Sequence, residues 1–163
     1  MEGTLLELYR HKTWATLRLI EFCGRLDDAM LDATVPGTYG SIRETLRHLV
    51  RAEEGYFNRI TGRPMSERVA ADGPVPPLAE LASRIERLGP EWERLAADDE
   101  TQAREVTTDD GWRLRADVIM AQVVHHADDH RTHVLTILGA HGVEGPDLDV
   151  WMYADANGLV EHV

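Results

Sequence analysis

The sequence predicts an all-α protein, a four-helix bundle with one small hairpin-like segment before its last long helix. Three observations lead to this prediction. Four segments carry apolar residues at helical spacing, and the connections between them are long and rich in turn-forming residues. Only one short stretch combines strand-forming residues with an Asp-Gly turn. A chain of 163 residues can bury a core of its own, so we expect residues 1–163 to form a single domain.

The first helix is predicted over residues 4–26, where leucines and aromatic residues recur at the spacing of one helical face. Gly24 lies near its end, a position at which glycine is common. The stretch from Asp32 to Gly40 follows and is rich in turn-forming residues. We therefore expect a loop between the first two helices.

The second helix has the clearest start signal in the chain. Ser41 and Glu44 have the spacing of a capping box, in which the serine oxygen accepts from the backbone at Glu44 and the glutamate reaches back. The helix is predicted to run to about Thr61, because Gly62 can adopt the left-handed conformation that ends many helices.

The third helix is predicted over residues 78–97, after a loop at residues 62–77 that contains four prolines. Gly89-Pro90 falls inside this helix. Proline lacks a backbone donor and clashes with the preceding turn, so the pair predicts a kink or a break. The apolar stripe of the helix consists of Leu81, Ile85, Leu88, Trp92 and Leu95.

The hairpin is predicted within residues 101–114, where Asp110-Gly111 separates two short runs with strand-forming residues. The last long helix is predicted over residues 116–138 and is closed by Gly139. The tail that follows shows no clear periodicity, and we expect it to be irregular.

The composition excludes several classes of protein. A formal net charge of −12 argues against a nucleic-acid-binding protein, which normally presents a basic surface. Cys23 is the single cysteine, so we expect no intrachain disulfide and a small buried apolar side chain at this position. No apolar run approaches the roughly 20 residues of a membrane helix, and charged residues interrupt the first segment, where a signal peptide would be apolar. We therefore expect a cytoplasmic protein that binds neither nucleic acid nor membrane.

Four histidines cluster in the second half of the last long helix. His126 and His130 are four residues apart and lie on the same helical face, so their imidazoles can share one metal ion. His48 is a candidate third ligand if the second and fourth helices are neighbours. Three neutral nitrogen donors with an open position are typical of a catalytic metal site. The alternative is that these histidines only form hydrogen bonds with neighbours such as Asp128 and Asp129.

Other residues near this pattern are candidates for supporting roles. His125 points about 100° away from His126 and is expected at the surface or behind the site. His133 can face the edge of the site, contact substrate or form a hydrogen bond. Glu53 can orient a ligand histidine from behind. Arg131 can hold an anionic substrate or pair with an acidic neighbour on its helix.

Two segments together resemble the DinB/YfiT-like superfamily of bacterial proteins. They are residues 46–53, Leu-Arg-His-Leu-Val-Arg-Ala-Glu, and residues 126–131, His-Ala-Asp-Asp-His-Arg. The resemblance covers nearly the whole chain and includes the tail at residues 148–153. It implies a bundle in which one histidine of the second helix and two of the fourth hold a divalent ion, which here are His48, His126 and His130.

The resemblance also implies an activity. Members of this superfamily include enzymes that transfer a low-molecular-weight thiol such as bacillithiol or mycothiol to an electrophile, and one related branch isomerises maleylpyruvate with mycothiol. Many members are dimers, so a homodimer is implied here. The chain departs from the common pattern at Thr132-His133, where many members carry Gly-Gln. This departure leaves the three histidines intact but changes the side that a substrate would approach.

Our leading hypothesis is a metal-dependent enzyme that transfers a low-molecular-weight thiol, as a cosubstrate, to a small electrophilic molecule. A hydrolase on the same site is an alternative, because the same ion can activate water. A non-catalytic metal-binding stress-response bundle is another. A module without metal is the last, and it predicts that His48 lies far from His126 and His130. Zinc is the default metal, and nickel and iron also suit imidazole ligands.

Overall fold

The computed structural model describes residues 3–161, and these form a mostly helical protein. Its architecture confirms the predicted all-α bundle. The long helices are α1 (Thr4–Cys23), α3 (Ile42–Thr61), α4 (Leu78–Ala96) and α6 (Ala116–Ala140). The shorter elements are α2 (Asp28–Leu31), a 3₁₀ turn (Met65–Glu67), α5 (Asp99–Ala103), β1 (Glu105–Thr107), β2 (Arg113–Arg115) and α7 (Val150–Ala156). No helix within residues 3–161 carries an apolar stretch long enough to cross a membrane.

The four long helices pack around a common axis. Helix α1 packs against α4 and α6, and α3 packs against the same two helices. This arrangement leaves α1 and α3 across a diagonal and makes α3 and α6 neighbours. The adjacency that a shared site on the second and fourth predicted helices requires is therefore present.

The start of α3 is fixed by the predicted capping box. The Glu44 N–H donates to Ser41 Oγ at 3.2 Å, and the Ser41 N–H donates to Glu44 Oε2 at 3.1 Å. At the other end Gly62 has a φ of +76°, and its N–H donates to the Asn58 carbonyl oxygen at 2.8 Å. Both caps satisfy backbone groups that a helix end leaves without partners. They also fix the rotational position of every α3 side chain, including that of His48 in the second turn.

Helix α4 continues through Gly89-Pro90 to Ala96, so of the predicted kink or break the break is absent. Gly89 is buried against α1, where an added Cβ would lie 2.9 Å from Thr13 Cγ2. The glycine therefore permits a close approach of two helices, and the packing gained there holds α4 together across the proline. Helix α1 is shorter than predicted, because it ends at Cys23 and the separate helix α2 begins at Asp28.

The C-terminal part of the chain also differs from the prediction. Helix α6 passes Gly139 and ends at Ala140, and the tail contains α7 rather than only irregular structure. The Asp149 side chain caps α7 by accepting from the Met152 N–H at 2.7 Å. Tyr153 then ties α7 to α1, since its hydroxyl donates to Glu7 Oε2 at 3.1 Å.

The predicted hairpin is confirmed. Strands β1 and β2 are antiparallel, with Val106 paired to Leu114 at their centre. The Thr108 N–H donates to the Trp112 carbonyl oxygen at 2.8 Å, and Gly111 has the positive φ of +91° that the turn requires. The hairpin is followed directly by α6 and packs at its start.

The core consists of two apolar clusters with a buried polar layer between them. The first cluster includes Leu19, Leu46 and Ile137, and the second includes Phe57 and Trp92. Cys23 is buried in the first cluster, as predicted, and burial raises the pKa of its thiol to about 12. The polar layer between the clusters consists of Lys12, Thr16, Glu53, Glu54, His130 and Arg131.

Candidate metal centre

Helices α3 and α6 bring three predicted histidines together at the level of the polar layer. His48 projects from α3, and His126 and His130 project from successive turns of α6. One ring nitrogen from each of the three lies within 4.8 Å of the others. This contact contradicts the hypothesis of a module in which His48 is far from the other two.

One nitrogen–nitrogen distance in the cluster is close to the separation that a shared ion imposes. The Nε2 atoms of His48 and His126 are 3.1 Å apart. The ring centroids of His126 and His130 are 4.3 Å apart, and those of His48 and His130 are 4.7 Å apart. Two nitrogens on one zinc ion, each at about 2.0–2.1 Å and at a tetrahedral angle, would be separated by about 3.3 Å. His48 and His126 therefore already hold their Nε2 atoms near the separation that a shared ion would impose, and the ring of His130 lies beside both.

Burial and mutual repulsion keep these imidazoles neutral. Burial, together with the neighbouring rings of His130 and His48, lowers the pKa of His126 to about 4. Burial likewise lowers the pKa of His130 to about 4, together with His48 and His133. The pKa of His48 is lowered by burial and by Arg51. Neutral imidazole is the form that binds a metal, so the cluster is ready to act as a ligand set at neutral pH.

The donor chemistry fits a divalent transition metal. The cluster contains three imidazoles, and in the described part of the chain no cysteine or carboxylate joins them. Three neutral ligands leave the charge of the ion uncompensated and at least one coordination position open. Nδ1 of His130 is also buried without a hydrogen-bond partner among residues 3–161, which is costly unless another group binds there.

Two tyrosines that the sequence did not single out border the cluster. The Tyr39 ring stacks on His48, with centroids 4.0 Å apart and planes at 21°, and meets His130 edge-on at 5.1 Å. The Tyr56 ring meets His126 edge-on at 5.6 Å. Tyr56 lies two helical turns after His48, so its spacing was a usable signal. Tyr39 lies in the loop before α3, where no periodicity could have indicated it.

A comparison with known families supports the same reading of the chain. The family model described as the DinB family matches residues 1–161. The chain belongs to the DinB family. No curated protein matches this DinB chain.

The other histidines of the DinB chain lie where their helical positions place them. His133 is half-buried, its ring centroid is 5.2 Å from that of His130, and it borders the cluster without joining it. Its Nδ1 is buried and without a hydrogen-bond partner within residues 3–161. His125 is exposed, in agreement with the predicted orientation.

Glu53 and Arg131 of the DinB chain belong to the buried polar layer rather than to the imidazole cluster. Glu53 accepts a hydrogen bond from Lys12 of α1 through Oε1, and its Oε2 has no hydrogen-bond partner among residues 3–161. Arg131 donates to Thr16 Oγ1 at 3.1 Å and forms an ion pair with Asp128 at 3.4 Å. The predicted contact between Glu53 and a ligand histidine is therefore replaced by a contact with Lys12. Of the two roles considered for Arg131, the pairing with an acidic neighbour is the one observed.

Proposed function

We propose that this DinB protein is a divalent-metal-dependent enzyme that transfers a low-molecular-weight thiol, of the bacillithiol or mycothiol type, to an electrophilic small molecule. Zinc is the proposed metal, and nickel and iron are the alternatives. The family relationship supports a metal-binding function, and the thiol and its acceptor come from the resemblance described above.

The observation that carries the proposal is the three-imidazole cluster without a fourth protein ligand. Structural zinc sites are usually closed by four protein ligands, whereas catalytic sites have three and leave a position for water or substrate. His48, His126 and His130 offer three nitrogens, and no acidic or thiol group of the described residues completes them. This composition favours catalysis over a purely structural metal.

The residues of the chain would prepare this site in two ways. Their low pKa values keep His126 and His130 in the neutral form that binds an ion at physiological pH. The Tyr39 ring stacks on the imidazole of His48, and the Tyr56 ring contacts that of His126, so both occupy space beside the cluster that water would otherwise fill. When bound, the ion supplies a positive charge that lowers the pKa of a thiol and favours the thiolate.

The proposed reaction is a nucleophilic substitution at carbon. The thiol sulfur forms a bond to the electrophilic carbon, and the leaving group departs with its bonding electrons. The thiol proton passes to solvent.

The first test is the metal content of tag-free protein, measured by mass spectrometry for the wild type and two variants. We expect about one transition-metal ion per chain in the wild type. His126→Ala should lose the ion, because it removes one of three ligands. His125→Ala is the matched control, since the neighbouring exposed imidazole lies outside the cluster. Failure of the wild type to take up zinc, nickel or iron would refute the proposed site.

The second test separates thiol transfer from hydrolysis. The metal-loaded protein is incubated with 1-chloro-2,4-dinitrobenzene and mycothiol, bacillithiol or cysteine, and the products are separated by chromatography. A dinitrophenyl thioether that depends on His126 supports thiol transfer. Dinitrophenol as the only metal-dependent product would instead assign a hydrolase to the same site.

A homodimer stays a prediction, which the molar mass from light scattering tests.

A further inference from the structure

We infer that the groove between α3, the hairpin and the start of α6 binds an uncharged aromatic arm of the substrate, whose reactive group lies at the histidine cluster. This inference rests on the proposed function, because it assigns part of the substrate of that site. It adds a binding region that the histidines alone do not define.

The groove is a concave region of about 440 Å³ beside the hairpin. This volume is in the range of small-molecule sites, which are mostly apolar with a few polar groups. Its apolar lining comes from two aromatic and several aliphatic side chains, namely Tyr56, Trp112, Leu114, Val118 and Ile119.

The groove borders the histidine cluster along the two antiparallel helices α3 and α6. On α6, Gln122 lies one turn before His126 and Val118 lies one turn before Gln122, so all three share a face. Tyr56 lines the groove and also touches His126, with ring centroids 5.6 Å apart. At a rise of about 1.5 Å per residue, the groove lies roughly 6 to 12 Å from His126 along the helix. One flat molecule of two fused rings can therefore reach from the histidines into the groove.

The exposure of the groove wall also indicates a ligand. Trp112 is 71% exposed and Val118 is 54% exposed, although both are large apolar side chains. The backbone of Trp112 is held in place, because its N–H donates to Thr108 Oγ1 at 3.0 Å. An exposed indole on a fixed backbone is a preformed stacking surface for an aromatic ring.

The charges at the groove favour an uncharged arm. Arg59 lines the groove, but its guanidinium is already paired with Asp109 at 3.0 Å. Asp110 at the rim adds a negative charge, which disfavours an anionic ligand. An aromatic hydrocarbon or a neutral heterocycle therefore suits this lining better than a phosphate or a carboxylate.

The test compares two probes on zinc-loaded protein by calorimetry. Acetohydroxamic acid and 2-naphthohydroxamic acid share a metal-binding head, and only the second has an aromatic arm. We expect the naphthyl compound to bind at least about tenfold more tightly, since one well-packed aromatic contact contributes about 1.4 kcal/mol or more. Trp112→Ala should remove most of this gain and leave the acetyl compound unchanged.

Trp151→Ala is the matched control, because Trp151 on α7 is 76% exposed and lies outside the groove. It should leave the affinity for both probes unchanged. Equal affinity of the wild type for the two probes would overturn the inference. So would a loss of the naphthyl gain in Trp151→Ala equal to that in Trp112→Ala. If Trp112→Ala instead converts a dimer into monomers with the gain intact, the groove wall is an interface between two copies and the inference is wrong.

A second measurement does not depend on the metal. Metal-free protein is titrated with 2-naphthol, and the indole N–H resonances of the four tryptophans are followed by NMR. We expect the Trp112 resonance, assigned by its loss in Trp112→Ala, to shift more than that of Trp151. If the Trp112 resonance does not shift more than that of Trp151, the inferred ligand site in the groove is wrong, even if the protein binds metal. A selective shift in a protein that takes up no metal would retain the groove and refute the proposed function.

Discussion

At the scale of single residues, the environment that makes the imidazoles good ligands also makes them sensitive to acid. The Tyr39 ring stacks on that of His48, and the Tyr56 ring contacts that of His126 edge-on. Burial is the largest cause of the lowered pKa of His126 and of His130. A histidine whose pKa is lowered by folding binds a proton less readily than it does in the unfolded chain. The free energy of unfolding therefore falls when the pH falls toward that lowered pKa.

This reasoning predicts a pH dependence for the metal-free protein. The pKa of His126 and His130 is about 4 in the folded chain, against an ordinary value of 6.5. Between these values the unfolded chain binds more protons than the folded chain, so the free energy of unfolding should fall as the pH falls from about 6.5 to 4. Urea unfolding at several pH values measures this dependence.

The matched variants are His126→Gln and His125→Gln. The first removes a buried titrating ring and should flatten the dependence on pH. The second removes an exposed ring and should leave it as in the wild type. The same slope in the wild type and in both variants would show that the buried histidines are not its source.

The sequence was sufficient to predict the residues of the cluster but not their surroundings. His126 and His130 could be paired from their spacing on one helix, and His48 was a candidate third ligand on the second predicted helix that the resemblance also implied. Tyr39 could not, because its contact depends on how the loop before α3 folds back. The pairing of Glu53 with Lys12 joins two diagonal helices, and no pattern along the chain records that contact.

At the scale of secondary-structure elements, the contact between α1 and α4 depends on the absence of a side chain. Gly89 faces Thr13 so closely that a Cβ would lie 2.9 Å from Thr13 Cγ2. Gly139 of α6 is surrounded by open space instead. Apart from its chain neighbours and its own helix backbone, no atom lies within 4 Å of the position that its Cβ would take. Alanine substitutions at Gly89 and Gly139 therefore separate the effect of close packing on stability from the effect of helix propensity.

We expect Gly89→Ala to lower the free energy of unfolding by about 1–3 kcal/mol, because overpacking forces the helices apart. Gly139→Ala should raise it by up to about 1 kcal/mol, because alanine is the better helix former. Urea unfolding of both variants measures the difference. Adding Thr13→Ala to Gly89→Ala should recover part of the loss. Equal effects of the two glycine substitutions would contradict this account.

The sequence predicted the four long helices and the hairpin, and it missed the short helices. Helices α2, α5 and α7 have 4, 5 and 7 residues, too few to show a helical period. At Gly89-Pro90, where a kink or a break was predicted, the helix does not break, since packing against α1 outweighs the local effect of proline. The capping box predicted at Ser41 is confirmed, and it was predictable because its hydrogen bonds join residues that are close in sequence.

At the scale of the whole molecule, the buried polar layer links helices on opposite sides of the bundle. Lys12 of α1 and Glu53 of α3 form an ion pair across the diagonal of the bundle, and both side chains are almost fully buried. Burial lowers the pKa of Lys12, while the contact with Glu53 acts in the opposite direction. Arg131 of α6 completes the layer through Thr16.

Removing one partner of the Lys12–Glu53 pair should strongly lower the free energy of unfolding. We expect Lys12→Met to lower the free energy of unfolding by about 3–5 kcal/mol, because it leaves the Glu53 carboxylate buried without its partner. The double variant Lys12→Met with Glu53→Leu should recover much of the loss, since it removes both charges.

Arg25→Met is the control for this experiment. It breaks the exposed pair between Arg25 and Glu21, and we expect a change below about 1 kcal/mol. Chemical unfolding of the four proteins, wild type included, gives the comparison. A double variant as unstable as Lys12→Met would show that the unpaired Glu53 carboxylate is not the source of the loss.

The separation of the histidines along the chain has a further consequence. His48 and His126 are 78 positions apart, so an ion that they share would close a loop containing all of α4 and the hairpin. A covalent link that closes a loop of this length lowers the conformational entropy of the unfolded chain and raises its free energy by about 4–5 kcal/mol. With Cys23 as its single cysteine, the protein has no disulfide within the chain to provide such a link. Imidazoles and a metal ion would give it a cross-link that opens and closes with the supply of metal instead of with the redox state of its surroundings.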